Sequence, residues 1–238
     1  MSAGSQAGAD SLPLVTIGVP VFNGARFLAG ALTSAVEQDY GNVEIVIADN
    51  ASTDGTGEIC REFAKKHAGV RWLRNSAHLD LMANFRKVLE VARGKYFTWL
   101  AADDLLSSPS YVARCAAVME RAPDVVLCGT ATHTLDYEHP GSVSTTLLDR
   151  LSEERDWREA RLEFFRVPCR DQLYLAFYGL YRREALVRVP LVAVRYRSTP
   201  VVLEMEYPIL AALSLAGRIV ALPDALRSRR YRDDSVGA

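Results

Sequence analysis

Apolar residues fall in two patterns along this chain. Leu14–Val21 (LVTIGVPV), Val43–Ala48 (VEIVIA), Val70–Arg74, Lys95–Leu100 (KYFTWL) and Asp124–Thr132 (DVVLCGTAT) are short runs rich in β-branched and aromatic residues, the mark of strands buried on both faces. Between them the apolar residues recur at helical spacing. Ala25–Gln38 carries Leu28, Leu32, Ala35 and Val36, and Leu79–Ala92 carries Leu81, Phe85, Val88 and Leu89. A further helix follows the polar cluster Asp49–Thr56 and runs to about Lys66. Ser107-Ser108-Pro109 opens another, with proline in the first turn where its missing N–H costs little. Strands alternating with helices predict an α/β fold, a mostly parallel central sheet with helices on both faces.

After about Tyr137 the pattern loosens. Ser152–Arg166 mixes five acidic and four basic residues with Trp157, Phe164 and Phe165, which predicts a surface helix packing its aromatics, with a role over an acceptor site as the other use. Leu173–Tyr181 is apolar and aromatic. Tyr207–Ala216 reads as a helix ended by Gly217, and Ile219–Leu222 as a strand closed by Pro223. Arg227–Asp234 (RSRRYRDD) is a basic tail.

The composition of 238 residues, 49% hydrophobic and 24% charged, fits a soluble globular protein with a sizeable core. A net charge of −1 argues against nucleic acid as a partner. Cys60, Cys115, Cys128 and Cys169 are far apart, which suits reduced thiols. Residues 1–12 are expected to be a disordered tail with neither a leader nor an anchor, and residues 13–238 one domain. Within it, about 13–135 would bind nucleotide and metal, and about 136–238 would supply the acceptor side. No run approaches the roughly 20 apolar residues of a membrane span. A cytoplasmic location is expected, with peripheral membrane contact and oligomeric state left open.

Ligands of open α/β sheets bind outside the carboxyl ends of the strands. That rule gathers the Pro20–Gly24 turn, the Asp49–Thr56 loop and the adjacent carboxylates Asp103 and Asp104 on one rim. Paired carboxylates there suit a hard divalent cation, which brings phosphates with it. There is no GxxxxGK[ST], no GxGxxG after the first strand and no GxSxG. The four histidines, His67, His78, His133 and His139, lack zinc spacing.

The segments Val19–Gly24, Asp49–Thr56 (DNASTDGT), Asn84, Gly94–Leu100 and Asp103-Asp104, with weaker matches at Tyr178–Glu184 and Glu206–Pro223, resemble family 2 glycosyltransferases. That resemblance implies a GT-A fold, a nucleotide-sugar donor (a UDP-sugar first), Mg2+ or Mn2+, and transfer with inversion to a saccharide, lipid-linked or small-molecule acceptor. Pro20, Phe22 and Asn23 would line the base pocket, and Asp49 would accept from the base or ribose, its other reading being a turn cap. Asn84 either turns inward toward the nucleotide or is solvated. Asp104 would bind the metal, while Asp103 would face ribose or sugar and share the ion. Glu206, eleven positions before Gly217, would be the general base, with Glu204 as runner-up.

Three departures from the family pattern stand out. Ala101 replaces an aspartate, Met205 an acidic residue, and Arg232 a histidine near the tail. Arg232 cannot hold a cation but can pair with phosphate. These departures keep a second reading open, a nucleotide-binding module without activity. A sugar nucleotidyltransferase would instead need a glycine-rich loop after the first strand, which Pro20–Gly24 lacks.

Overall fold

The structure is a computed structural model, and it describes residues 12–136, 142–166, 173–191 and 206–231. Glu204, Arg232, Cys169 and the expected N-terminal tail lie outside these residues. Among the described residues, eight strands form one sheet: β1 (Val15–Val21), β2 (Val43–Asp49), β3 (Val70–Arg74), β4 (Tyr96–Trp99), β5 (Val125–Asp136), β6 (Val143–Thr146), β7 (Leu180–Arg182) and β8 (Arg218–Tyr231). The helices are α1 (Leu28–Val36), α2 (Thr56–Lys66), α3 (Leu81–Glu90), α4 (Tyr111–Arg121), α5 (Trp157–Arg166), α6 (Arg183–Leu186) and α7 (Glu206–Ala216).

Strands β3-β2-β1-β4 are parallel neighbours. Short β7 joins them to β5 through antiparallel ladders on both sides. β5 pairs along its length with parallel β8, so β7 and β6 share its other edge. Two antiparallel steps restore direction, and β5 and β8 therefore point the same way as β1 to β4.

Side chains alternate across each strand. Val15, Ile17, Val19, Ile45, Ile47 and Tyr96 face one side, where α1, α2 and α4 cover them. Val46, Ala48, Phe97 and Trp99 face the other, packed by α3, α6 and α7. The indole of Trp99 stacks on Phe177 at 4.8 Å and lies edge-on to Phe97 at 4.8 Å, joining the two halves of the chain through one aromatic core.

Three of the element ends that differ from expectation have a visible cause. α1 starts at Leu28 because Gly24 O accepts from both Phe27 N and Leu28 N, making Ala25–Phe27 a turn. α4 starts at Tyr111, so Pro109 precedes it instead of opening it. Pro109 O accepts from Asp39 N (2.8 Å), and the Gln38 side chain caps Val112 N (3.0 Å). The third difference is a correction: Pro223 does not close the last strand. β8 runs through it to Tyr231, and the register shifts between Thr130↔Leu222 and Ala131↔Ala225, so the residue without an N–H falls at a bulge.

At the amino ends of β1, β2 and β4 sits a buried latch. Glu44, 3% exposed, accepts from Thr16 Oγ1 (2.7 Å), Arg93 N (2.7 Å) and Arg93 Nε (2.9 Å). Thr16 Oγ1 in turn accepts from Gly94 N (2.9 Å), and a Cβ on Gly94 would lie 2.4 Å from Tyr96 O, so the latch admits only glycine there. Burial pushes the Glu44 carboxyl up, but these hydrogen bonds outweigh it and hold the group below the ordinary glutamate value. Its stabilisation is therefore complete above that ordinary value and is lost as pH falls through the lower folded value. Glu44→Gln is expected to cost about 1–3 kcal/mol at neutral pH and to flatten the acid limb of stability against pH, both read by urea unfolding across the acid range.

Candidate active site

The carboxyl ends of β1, β2, β3 and β4 share one rim, and the chain leaving each is tied to its neighbours by side chains. Asn23 N donates to Ser52 Oγ (3.0 Å), Gly24 N to Thr56 Oγ1 (2.9 Å) and Ala25 N to Asp54 Oδ2 (3.1 Å). In return Thr53 N donates to Asn23 Oδ1 (2.9 Å), and Asn50 N to Val21 O (2.8 Å). Asp54 also caps α2 by accepting from Thr56 N (3.0 Å). Turns at a rim lack ladder partners, so the polar loop Asp49–Thr56 supplies them. Asn23 and Ala51 hold left-handed backbones (φ 46° and 60°), uncommon for residues other than glycine and fixed here by these bonds. A Cβ on Gly24 would stand 2.6 Å from Val21 Cγ2 and 3.3 Å from Ala102 Cβ, so the first turn packs against the chain leading into Asp103.

Asp49 is fully buried, with Oδ1 accepting from Ser52 N (2.9 Å) and Oδ2 from Arg74 Nη1 (2.8 Å). Arg74 reaches on to Ser52 O (2.7 Å). Beneath lies an amide cluster. Asn75 Nδ2 donates to Asn50 Oδ1 and Asn84 Oδ1 (both 3.0 Å), and Asn84 Nδ2 donates to Ala48 O (3.1 Å). Asn84 thus turns inward, and Asn75 Oδ1 is a buried acceptor without a partner among the described residues. Phe22, 48% exposed, projects from the first turn with its ring 4.3 Å from that of His78.

The two adjacent aspartates are placed differently. Asp103 is half-buried, and among the described residues its carboxylate has no hydrogen-bond or ion-pair partner; only its carbonyl is held, by Arg230 Nη1 (2.5 Å). Asp104 is 7% exposed, with Oδ1 accepting from Arg230 N (3.3 Å) and Oδ2 standing 3.6 Å from Arg227 Nη2. Burial pushes the Asp104 carboxyl up to about 7, against the pull of Arg227 and with a further push from Asp103. Among the described residues, no three His, Cys, Asp or Glu side chains gather as a metal cluster.

Topology carries Glu206 to this rim. α7 runs down to the start of β8, which points up to the rim, so the first residue of α7 lies at the rim end. The Tyr178 phenol supports this placement. It is pushed well above its ordinary value by burial first, then by the charges of Glu206, Asp104 and Asp103. Pro20, Phe22, Asn23, Asp49, Asn84, Asp103, Asp104 and Glu206 are thus gathered at one end of the sheet. Arg74, Asn75, His78 and Arg227 join them without a motif to mark them; the one local signal is the position of Arg74-Asn75 at a strand's carboxyl end.

With this geometry in hand, comparisons place the chain. Residues 16–189 match the family model described as Glycosyl transferase family 2. The chain is 26% identical over 183 residues to an uncharacterized glycosyltransferase, EpsJ, of Bacillus subtilis, covering 76% of this chain and 51% of that one. It is 30% identical over 114 residues to the glycosyltransferase GlyG of Streptococcus pneumoniae, covering 48% and 38%. The chain thus spans about half or less of these relatives' length. Among solved structures it resembles S. aureus TarS in complex with UDP-GlcNAc, with a TM-score of 0.70, 18% identity and coverage of 93% of this chain and 60% of that one. It also resembles a Pyrobaculum calidifontis mannosyltransferase in complex with GDP-Man and Mn2+, with a TM-score of 0.63, 20% identity and coverage of 94% and 59%. The fold is the GT-A fold of these glycosyltransferases.

The amide cluster generates a prediction about the frame of the site. Asn84→Ala removes a partner from Asn75 and from Ala48 O inside a closed interior, and about 1–3 kcal/mol of stability should be lost in chemical denaturation.

Proposed function

This chain belongs to glycosyl transferase family 2, and from that premise we propose that it is a glycosyltransferase that moves a sugar from a nucleoside-diphosphate donor to a hydroxyl acceptor with inversion at the anomeric carbon. One observation carries the reading: a half-buried carboxylate, Asp103, without a partner among the described residues, stands at the rim where the Phe22–Asn23 turn and the Asp49–Thr56 loop meet, with Glu206 on the facing helix. A UDP-sugar is the first candidate donor. The two halves act as one domain, the first holding the donor and the second the acceptor.

The exposed ring of Phe22, braced by His78, offers the base a stacking surface beside Pro20 and Asn23. Asp49 shapes that pocket through Arg74 and the Ser52 turn, and Asn84 through the amide cluster. Asp103 offers one open carboxylate, with Asp104 held behind it. That donor set suits Mg2+ or Mn2+ taken up together with the diphosphate, because Mg2+ commonly keeps several waters and needs only one or two carboxylates besides the phosphates. Such an ion, when bound, would offset charge on the departing diphosphate. It would bind weakly to the nucleotide-free protein, since Ala101 supplies no further carboxylate.

Glu206 takes the proton of the acceptor hydroxyl as its oxygen bonds to the anomeric carbon. The bond from that carbon to the phosphate oxygen breaks on the opposite face, its electron pair leaves with the nucleoside diphosphate, and inversion follows. The acceptor is a saccharide, a lipid-linked molecule or a small molecule. No helix among the described residues is long and apolar enough to cross a membrane.

A thermal-shift panel of UDP-, dTDP- and GDP-sugars, with and without Mn2+, tests the donor site. At least one should raise the melting temperature, because a ligand bound only by the folded state stabilises it by mass action. Silence from every nucleotide in both conditions would sink the reading. Glu206→Gln should lower sugar transfer by ~10²–10⁴-fold while nucleotide binding persists, as measured by product release and calorimetry on the same preparation.

A further inference from the structure

We propose that Arg227 is a positioning residue of this site: from β8 it fixes the Asp103–Asp104 turn and couples that turn to the half of the chain carrying Glu206. The inference rests on the donor-site reading above and assigns a role to a residue that no motif of the site marks.

Arg227 is 3% exposed and lies inside the sheet. Its guanidinium spans separate elements. Nη2 faces Asp104 Oδ2 at 3.6 Å, and Nη1 donates to Tyr178 O, the residue before the Gly179 that leads into β7. That same carbonyl accepts from Tyr111 Oη (3.1 Å), at the start of α4, and from Thr98 Oγ1 (3.4 Å) in β4. The guanidinium also lies 5.0 Å from the Tyr178 ring centroid and 6.0 Å from that of Tyr111. One buried cation therefore touches the turn after β4, the turn before β7 and the first turn of α4.

Stability alone does not account for this cation. Burying two charges costs several kcal/mol per ion, and an apolar pair of similar volume is commonly as stable or more so. A separation of 3.6 Å is not a close ion contact, so Coulomb attraction is not maximised. What a charged pair adds over an apolar one is direction. Asp104 Oδ1 is held by Arg230 N, and Leu105 and Ser228 exchange two backbone hydrogen bonds of 2.9 Å each. With Asp104 drawn inward at both oxygens, the carboxylate one peptide away is the one presented to the rim.

The test titrates UDP, GDP and dTDP into the whole protein by calorimetry, once with Mn2+ and once with EDTA, for the unaltered chain, Arg227→Met and Arg227→Lys, with melting temperatures recorded alongside. A positioning role predicts that Arg227→Met leaves nucleotide affinity in EDTA unchanged but weakens the Mn2+-dependent gain by ~10–100-fold, the range seen when a residue supporting a metal ligand is lost. Arg227→Lys, which keeps the charge but not the planar fork, should recover part of the gain. It also carries the test by itself if Arg227→Met does not fold, since its melting temperature should stay close to that of the unaltered chain while the gain is reduced. Equal losses with and without Mn2+, a Lys variant indistinguishable from the unaltered protein, or no Mn2+ gain in the unaltered protein overturns the inference. Failure of the unaltered protein to bind any of the three nucleotides overturns the donor-site reading itself.

Discussion

A carboxylate at the end of a buried strand cannot stay charged in the interior without a cation or hydrogen-bond donors. Asp104 sits at that limit: burial pushes its carboxyl up to about 7, and the pull back toward the charged form comes from β8, from Arg227 first and then from the Arg230 N–H. The arrangement of this end of the sheet depends on the return of β8. Without β8 beside β5, the segment from Asp103 to Ser108 would lose the backbone bonds of Leu105 to Ser228 and of Ser108 N to Leu226 O (3.2 Å). The open carboxylate of Asp103 would then have no fixed direction. A buried carboxylate drawn inward leaves its neighbour facing the rim.

The other side of the rim is built by a different accounting. The turns after β1 and β2 lack sheet partners for their N–H groups, and each borrows side-chain oxygens from the other. Ser52, Thr56, Asp54 and Asn23 act together as a cross-braced frame, with Asp49 and Arg74 closing it from below. Polar residues satisfied in this way can be both buried and rigid, which a preorganised nucleotide pocket requires. Ser52 and Thr56 are the buried part of this frame, while Phe22, left half exposed, faces outward beside Asn23 and Asp54.

Much of this was legible in the order of residues. The apolar runs around Ile17, Val46 and Phe97 specified buried parallel strands because no water-facing alternation interrupts them, and the rim then followed from strand direction. The polar cluster at Asp49–Thr56 and the pair Asp103-Asp104 marked two of its loops as candidates for a site. Element ends were less legible, because distant groups decide them. α4 begins where Gln38 can cap it, and β8 passes Pro223 because a bulge against β5 absorbs the missing N–H. The ion pair from Arg227 to Asp104 had no signature, since a lone arginine in a basic stretch reads as solvated until a strand carries it inside.

By itself the chain's sequence determined the parallel half of the sheet and the polar loops at its carboxyl ends, because these follow from local periodicity and short-range turn chemistry. Only the tertiary structure decided which of two adjacent aspartates faces outward and that Glu206 stands at the same rim. It also decided that Asn84 belongs to a closed amide cluster. The physical reason is common to all three: burial and partnership are set by contacts between residues far apart in the chain, and local pattern carries no record of them.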